Sequence, residues 1–186
     1  MIITFNGTEG SGKSTIAKKL AEKLGWDHYY IGGIRREMAK KRGMTLEEYN
    51  KLGETDSNTD LEVDEYQKKL GETKDNFVIE GRTSWHFIPH SLKIYIDVDK
   101  KIGAERIYKE LQKPNKRNEA QGIKTLEDVI EKNKNRQICD NKRYWKYFKI
   151  KVHDKKHFDY ILDTSNLNKK EAFDKLYSYI QSKINR

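Results

Sequence analysis

The stretch Gly7-Thr8-Glu9-Gly10-Ser11-Gly12-Lys13-Ser14 constrains this chain more than any other. It fits the pattern G-x-x-x-x-G-K-S/T, in which glycines let successive backbone N–H groups wrap an anion and the next helix N-terminus adds partial positive charge. The flanks supply the context that the pattern requires. Met1-Ile2-Ile3-Thr4-Phe5 is short, apolar and β-branched, as a buried parallel strand should be. Ile16, Ala17, Leu20, Ala21 and Leu24 then recur at helical spacing. A fortuitous glycine turn would account for the loop and for neither flank. Residues Gly7, Thr8, Glu9, Gly10, Ser11, Gly12, Lys13, Ser14 and Thr15 are therefore expected to cradle a nucleoside triphosphate. Lys13 would reach its β- and γ-phosphates, and the Ser14 hydroxyl would ligate Mg²⁺.

Strands and helices alternate along the rest of the chain. Gly25-Trp26-Asp27 turns into His28-Tyr29-Tyr30-Ile31, a second strand that Gly32-Gly33 is expected to break before a helix over 34–42. Thr45-Leu46-Glu47-Glu48 and Thr59-Asp60-Leu61-Glu62 both read as capping boxes. Segment 33–75 is thus expected to hold short, polar helices with few core residues, an insertion over a sheet edge. Phe77-Val78-Ile79 is the third strand, stopping in Glu80-Gly81-Arg82, and Leu92 to Val98 is the fourth. A helix follows through Ile102, Arg106, Ile107 and Leu111, then a polar loop over 113–124 that is a candidate lid. Thr125 caps a long helix reaching to Tyr147, Phe158 to Asp163 is the fifth strand, and Asn168 starts a final amphipathic helix. The pattern is one domain over 1–186 of the α/β, P-loop NTPase class. A five-stranded parallel sheet is flanked by helices, with the ligand beyond the strands' carboxyl ends.

Composition narrows the setting. At 186 residues, 36% of them charged, the chain has no apolar run long enough for a bilayer, and Met1 leads straight into the first strand, leaving no room for a signal peptide. The single cysteine, Cys139, rules out an internal disulfide and suits a reducing cytoplasm. The net charge of +9 is spread along the sequence, with clusters at Lys113 to Arg117 and Lys149 to Lys156. A nucleic-acid binder concentrates its basic residues and interleaves aromatics. A protein closing over two polyphosphate nucleotides also needs many cations. A cytoplasmic monomer with no membrane partner is expected, and a nucleic-acid partner is the less favoured reading that the charge leaves open.

Beyond the loop, Glu80 ends the third strand at the same sheet edge. A carboxylate there can hold a water of the Mg²⁺ shell, whereas the bland reading is a solvated strand-end Glu. Arg82 lies beside the same crevice and Arg36 opens the helix after the second strand. A planar guanidinium suits phosphate oxygens, and two such residues suggest a second anionic substrate. Val129, Asn133, Arg136, Asp140, Arg143 and Tyr147 form one helical stripe in which Asp140 could align both arginines. The bland reading is an exposed ion-pair ladder. The pairs His86/His90 and His153/His157 lack a third ligand for zinc. Trp85, Tyr144 and Trp145 are better read as packing than as base-stacking residues.

This assembly resembles the nucleoside monophosphate kinases, and most of all the compact archaeal-type cytidylate kinases. Arg36-Glu37-Met38-Ala39 with Arg42-Gly43-Met44-Thr45-Leu46-Glu47-Glu48 carries the likeness, as do Glu80-Gly81-Arg82, Leu92-Lys93-Ile94-Tyr95-Ile96-Asp97 and the R-x-x-x-D-x-x-R spacing of Arg136, Asp140 and Arg143. Two departures are Gly33, where the family commonly has Asp, and Thr83-Ser84-Trp85 after the E-G-R triplet. The resemblance implies that Arg36 and Arg82 bind the acceptor monophosphate and that Lys13, Arg82, Arg106, Arg136 and Arg143 act on the transferring phosphoryl group. Ser14 and Glu80 would serve the metal. It implies ATP as co-substrate with Mg²⁺, CMP as acceptor, and 33–75 as the monophosphate-binding insert. A P-loop kinase with a different small acceptor and a P-loop ATPase assisting RNA or ribosome assembly remain as alternatives.

Overall fold

The computed structural model describes residues 1–56, 58–113 and 122–184. Strands β1 (Ile2–Gly7), β2 (Asp27–Tyr30), β3 (Phe77–Glu80), β4 (Leu92–Asp97) and β5 (Tyr160–Asp163) form one sheet in the order β2-β3-β1-β4-β5. Every pairing is parallel, so the expected α/β sheet is present. The helices are α1 (Lys13–Leu24), α2 (Ile31–Lys41), α3 (Leu46–Leu52), α4 (Asn58–Thr73), α5 (Ser84–Phe87), α6 (Lys100–Leu111), α7 (Leu126–Phe148) and α8 (Lys169–Ile184).

Alternation along the strands builds two cores, one on each face. Ile3, Phe5, Val78, Ile94 and Ile96 pack on Leu20 of α1 and on Leu176 and Ile180 of α8. The opposite parity, Ile2, Phe77 and Ile79, packs on Ile31, Val63, Leu70 and Ile88. A fully buried leucine such as Leu20 contributes roughly 2 kcal/mol. Register also places the first carboxylate of the site. Phe5 stands opposite Glu80, so Glu80 shares a face with Val78 and points toward α1, the helix that Lys13 and Ser14 open.

Helix ends follow local chemistry. Gly25 (φ 69) closes α1 with its N–H on the carbonyls of Ala21 and Glu22. Asp99 accepts from the N–H groups of Lys101 and Ile102 to start α6, and reciprocal capping boxes start α3 at Thr45 and α7 at Thr125.

Several expectations are corrected. Gly32-Gly33 does not break the chain, because α2 begins at Ile31 and runs through both glycines. The Tyr30 ring covers that first turn, and a Cβ at either position would stand 2.8 Å from it. Thr59 is no cap; it lies in the first turn of α4, its hydroxyl donating to the Asp56 carbonyl. Nor is segment 33–75 poor in core residues, since Val63 and Leu70 belong to the second core and Ala39, Leu46 and Tyr49 are buried as well. Polar residues masked this, as Thr59, Asp60, Asp64 and Gln67 are themselves buried on α4. Helix α5 is too short to carry a period. Of the candidate lid, residues 114–121 lie outside the described residues.

Candidate active site

The phosphate loop leaves β1 under tight steric control. A Cβ at Gly7 would stand 2.2 Å from the Ile96 carbonyl oxygen, and one at Gly10 (φ +76) would stand 2.1 Å from that of Gly103. Helix α6 therefore backs directly onto the loop, and Gly103 permits the approach: its own Cβ would lie 2.4 Å from the Glu9 carbonyl oxygen. Gly12 caps α1 with φ 82 and offers no side chain, which leaves the first N–H groups of the helix for an anion. On the far side, Thr8 donates to Asp97 at 2.6 Å.

Glu80 gathers the expected cations and donors. Its Oε2 accepts from Ser14 Oγ at 2.6 Å and from Lys13 Nζ at 3.3 Å, while Oε1 lies 3.1 Å from His28 Nε2. The residue is buried, not a solvated strand end. Burial pushes its carboxyl up, but the Lys13 ammonium and the hydrogen bonds from His28 and Ser14 outweigh it and hold the group below its ordinary value. Ser14, Lys13 and an ionised Glu80 at a helix N-terminus form a donor set that fits a Mg²⁺-bound triphosphate.

A second charged chain faces the loop. Arg82 Nη2 donates to Glu9 at 2.7 Å, and its Nε pairs with Asp140. Glu9 also accepts from Gln137 at 2.9 Å. Burial would raise the Glu9 carboxyl, yet Arg82 and then Arg136 bring it down to about 2. The α7 stripe is thus no exposed ladder, since Asp140 and Arg143 are each 1% exposed. Asp140 pairs with Arg82 from beyond β3 as well as with Arg143 of its own helix (Nη2 to Oδ1, 3.1 Å). Arg143 reaches back to the segment between β2 and β3, with Nε 3.2 Å from Asp60 Oδ2 and Nη1 3.1 Å from the Asn50 carbonyl. Its remaining donor meets the Tyr144 hydroxyl at 2.9 Å.

The other candidates distribute around one cavity of about 760 Å³. Arg36 lines it, lying over the Tyr30 ring (5.6 Å to the centroid) and donating to the Tyr30 hydroxyl and the Gly32 carbonyl. Arg136 and Arg143 line it too. Arg106 sits at the end of β5, with Nη2 2.8 Å from the Thr164 carbonyl and Nη1 3.5 Å from that of Gly10. Trp85 is buried and stacked on His157 (centroids 4.5 Å apart), and the Tyr144 ring is buried against Arg143, so both pack rather than lie open to a base. Cys139 is half-buried on α7, its thiol pushed up to about 11 by burial. Ligand atoms of Glu9, Asp140 and His153 lie within 4.8 Å of one another, but both carboxylates are already paired with Arg82 and Asp140 with Arg143 as well. Burial and then Arg82 hold the His153 ring down to about 4.

Sequence reasoning missed His28, Gly103, Arg35 and the buried polar residues of α4. Gly103 carried a signal, being a glycine inside an otherwise good helix. Arg35 is the buried neighbour of Arg36, paired with Asp60 and 3.2 Å from Asn50 Oδ1.

A family model described as the cytidylate kinase-like family matches residues 2–166. The chain belongs to this family. A protein of Pyrococcus furiosus named cytidylate kinase is 39% identical over 166 residues, 89% of this chain and 80% of that one. One of the same name from Methanocella arvoryzae is 36% identical over 170 residues, 91% of each chain. The crystal structure of shikimate kinase from Bacteroides thetaiotaomicron superposes with a TM-score of 0.65 over 97% of this chain and 98% of that one. At 14% identity that likeness speaks for the P-loop kinase fold alone. As a family member, the chain is a phosphotransferase of the nucleoside monophosphate kinase type. No described helix is long and apolar enough to cross a membrane.

Proposed function

We propose that this kinase transfers the γ-phosphoryl group of ATP to CMP, giving ADP and CDP. The observation that carries the reading is one cavity lined both by the α1 N-terminus with Lys13, Ser14 and Glu80 and by the arginines Arg36 and Arg82, cations enough for two phosphorylated substrates. In this reading segment 33–75 receives the monophosphate. The relatives named cytidylate kinase support CMP as the acceptor. A site cavity lined entirely by one chain supports a monomeric enzyme, and the charged composition supports a cytoplasmic one.

The chemistry asks little of the protein beyond alignment. A nucleoside monophosphate has a second phosphate pKa of ~6, so it is mostly dianionic at neutral pH and needs no general base. Two mutually repelling anions must instead be brought into line and the charge on the transferring group covered. Lys13 and the α1 N-terminus would hold the donor phosphates, with Thr8, Glu9, Gly10, Ser11 and Thr15 completing the loop. Ser14 and, through water, Glu80 would hold Mg²⁺, which would supply positive charge against that of the donor phosphates. Arg82 would exchange Glu9 for the acceptor phosphate while Asp140 keeps its orientation, and Arg36 would take the same phosphate from the other side. Arg106 and Arg136 would cover the donor and transferring phosphates. Arg143 would act from behind, through Asp140.

The test is a panel of nucleoside monophosphates with ATP and Mg²⁺, read by separating the nucleotide products. CDP and ADP in equal amounts, with CMP the preferred acceptor, is the expected outcome. Preference for another acceptor would replace the substrate. ADP and inorganic phosphate with no phosphorylated acceptor would move the protein to the ATPase reading.

A further inference from the structure

Helix α4 and the start of α5 bring together a polar cluster that the phosphoryl chemistry does not use. Asp64, Gln67, Thr83 and Ser84 are all buried, Asp64 being 7% exposed and the others less. Ser84 Oγ donates to Gln67 Oε1 at 2.6 Å, which turns the Gln67 amide so that its Nε2 donates to Asp64 Oδ1 at 3.2 Å. Thr83 Oγ1 also donates to Asp64 Oδ1, at 3.4 Å. One carboxyl oxygen is thus committed as an acceptor twice over. The other, Oδ2, is buried and has no hydrogen-bond partner among the described residues. A buried carboxyl oxygen without a partner is costly to keep. Asp64 lines the substrate cavity on the side of the segment between β2 and β3, next to Val63 and Gln67.

The charged groups around Asp64 come from three elements. Asp60 is on its own helix, Arg35 faces it from α2 and Arg143 from α7. Burial and then the Asp60 charge outweigh the two arginines and the Thr83 hydrogen bond, and the carboxyl is pushed up to about 7. Its neutral form must carry the proton on Oδ2, because Oδ1 faces two donors.

We infer that Asp64 is a specificity-determining residue that reads the acceptor base, its Oδ2–H donating to the N3 lone pair of cytosine. The inference rests on the CMP reading above. Cytosine presents an acceptor at N3, whereas uracil presents an N–H there, which would face Oδ2–H donor to donor. An ionised Asp64 reverses the match, since Oδ2 then accepts from uracil N3–H and repels the cytosine lone pair. The protein thus selects cytosine with a proton, and the selection weakens as that proton leaves.

The test is the ratio of kcat/KM for CMP over UMP as a function of pH. The phosphate ionisation common to both nucleotides cancels in the ratio. If UMP is not turned over, its inhibition constant against CMP serves instead. In the wild type the ratio is expected to fall about tenfold between about pH 6 and about pH 8.5, the discrimination of one buried hydrogen bond. Asp64→Asn keeps an acceptor at Oδ1 and puts a permanent N–H donor in place of Oδ2, so its ratio should favour CMP and stay flat with pH. A flat wild-type ratio would overturn the inference, as would an Asp64→Asn ratio that falls like the wild type's. Turnover of CMP with a flat ratio removes only the role of Asp64. Absence of CMP turnover at every pH removes the CMP reading and this inference with it.

Discussion

Single residues in this protein carry consequences out of proportion to their size. Gly103 sits inside α6, where alanine would ordinarily raise helix stability, yet its Cβ would lie 2.4 Å from a backbone oxygen of the phosphate loop. Gly103→Ala should therefore push the loop and cost about 1–3 kcal/mol, as overpacking does, with a raised KM for ATP in steady-state kinetics. An unchanged KM would show that α6 can withdraw without disturbing the loop. Asp64 makes a second prediction, concerning stability. Its carboxyl is about 7 in the folded protein against an ordinary 3.8, so the folded state holds the proton more tightly. That contribution is complete below pH 3.8 and is lost as pH rises through 7. Asp64→Asn should consequently be more stable than wild type at pH 8, by on the order of 2 kcal/mol, and the gap should close toward pH 4 in urea titrations. A gap that does not change with pH would contradict a raised Asp64.

Among the elements, α7 joins the two halves of the site. Arg143 carries ion pairs to Asp140 on its own helix and to Asp60 on α4, and a hydrogen bond to the α3 carbonyl of Asn50. Removing one partner of such a buried set leaves uncompensated charge, which costs about 3–5 kcal/mol, whereas an exposed ladder pair costs only a few tenths. Arg143→Ala should thus lower the melting temperature by several degrees, and any loss of turnover should come through misplacement of Arg82. Asp140→Asn offers the sharper check. It keeps the shape, loosens Arg82 and Arg143 together, and should raise KM for the monophosphate more than KM for ATP. Equal effects on both substrates would place Asp140 on the donor side.

At the scale of the molecule, the +9 charge and the cavity at the phosphate loop favour polyanionic ligands, and a ligand that binds only the folded state stabilises it. Ligand at one hundred times its Kd adds about 2.7 kcal/mol to folded-state stability. For a chain of this length that corresponds to a rise of roughly 5–10 °C in Tm. Wild-type protein with saturating ATP and Mg²⁺ should show this rise in differential scanning fluorimetry. Lys13→Ala should lose most of this rise, and its melting temperature without nucleotide should fall below that of wild type, because the buried Glu80 carboxylate loses its ammonium partner. A Lys13→Ala protein that keeps the full rise and normal turnover would remove the loop from the donor site.

Sequence alone determined those features that are built from neighbours in the chain. The phosphate loop was legible because its donors are backbone groups of consecutive residues, framed by a β-branched strand and an amphipathic helix. The caps at Thr45, Thr125 and Asn168 were legible because they span three residues. Glu80 was legible because a strand end in a parallel sheet has one place to be. Tertiary structure alone decided which charges meet. Arg143 and Asn50 are 93 positions apart, and Arg82 and Glu9 are 73 apart. No periodicity reports that Asp140 binds Arg82 or that one oxygen of Asp64 has no hydrogen-bond partner among the described residues. The same holds for Gly32-Gly33, which looked like a break until the Tyr30 ring was seen to cover the turn. Polar residues of α4 read as solvated because hydropathy records each side chain by itself. Burial of a polar group depends on the partners that satisfy it, and those arrive only when distant segments pack.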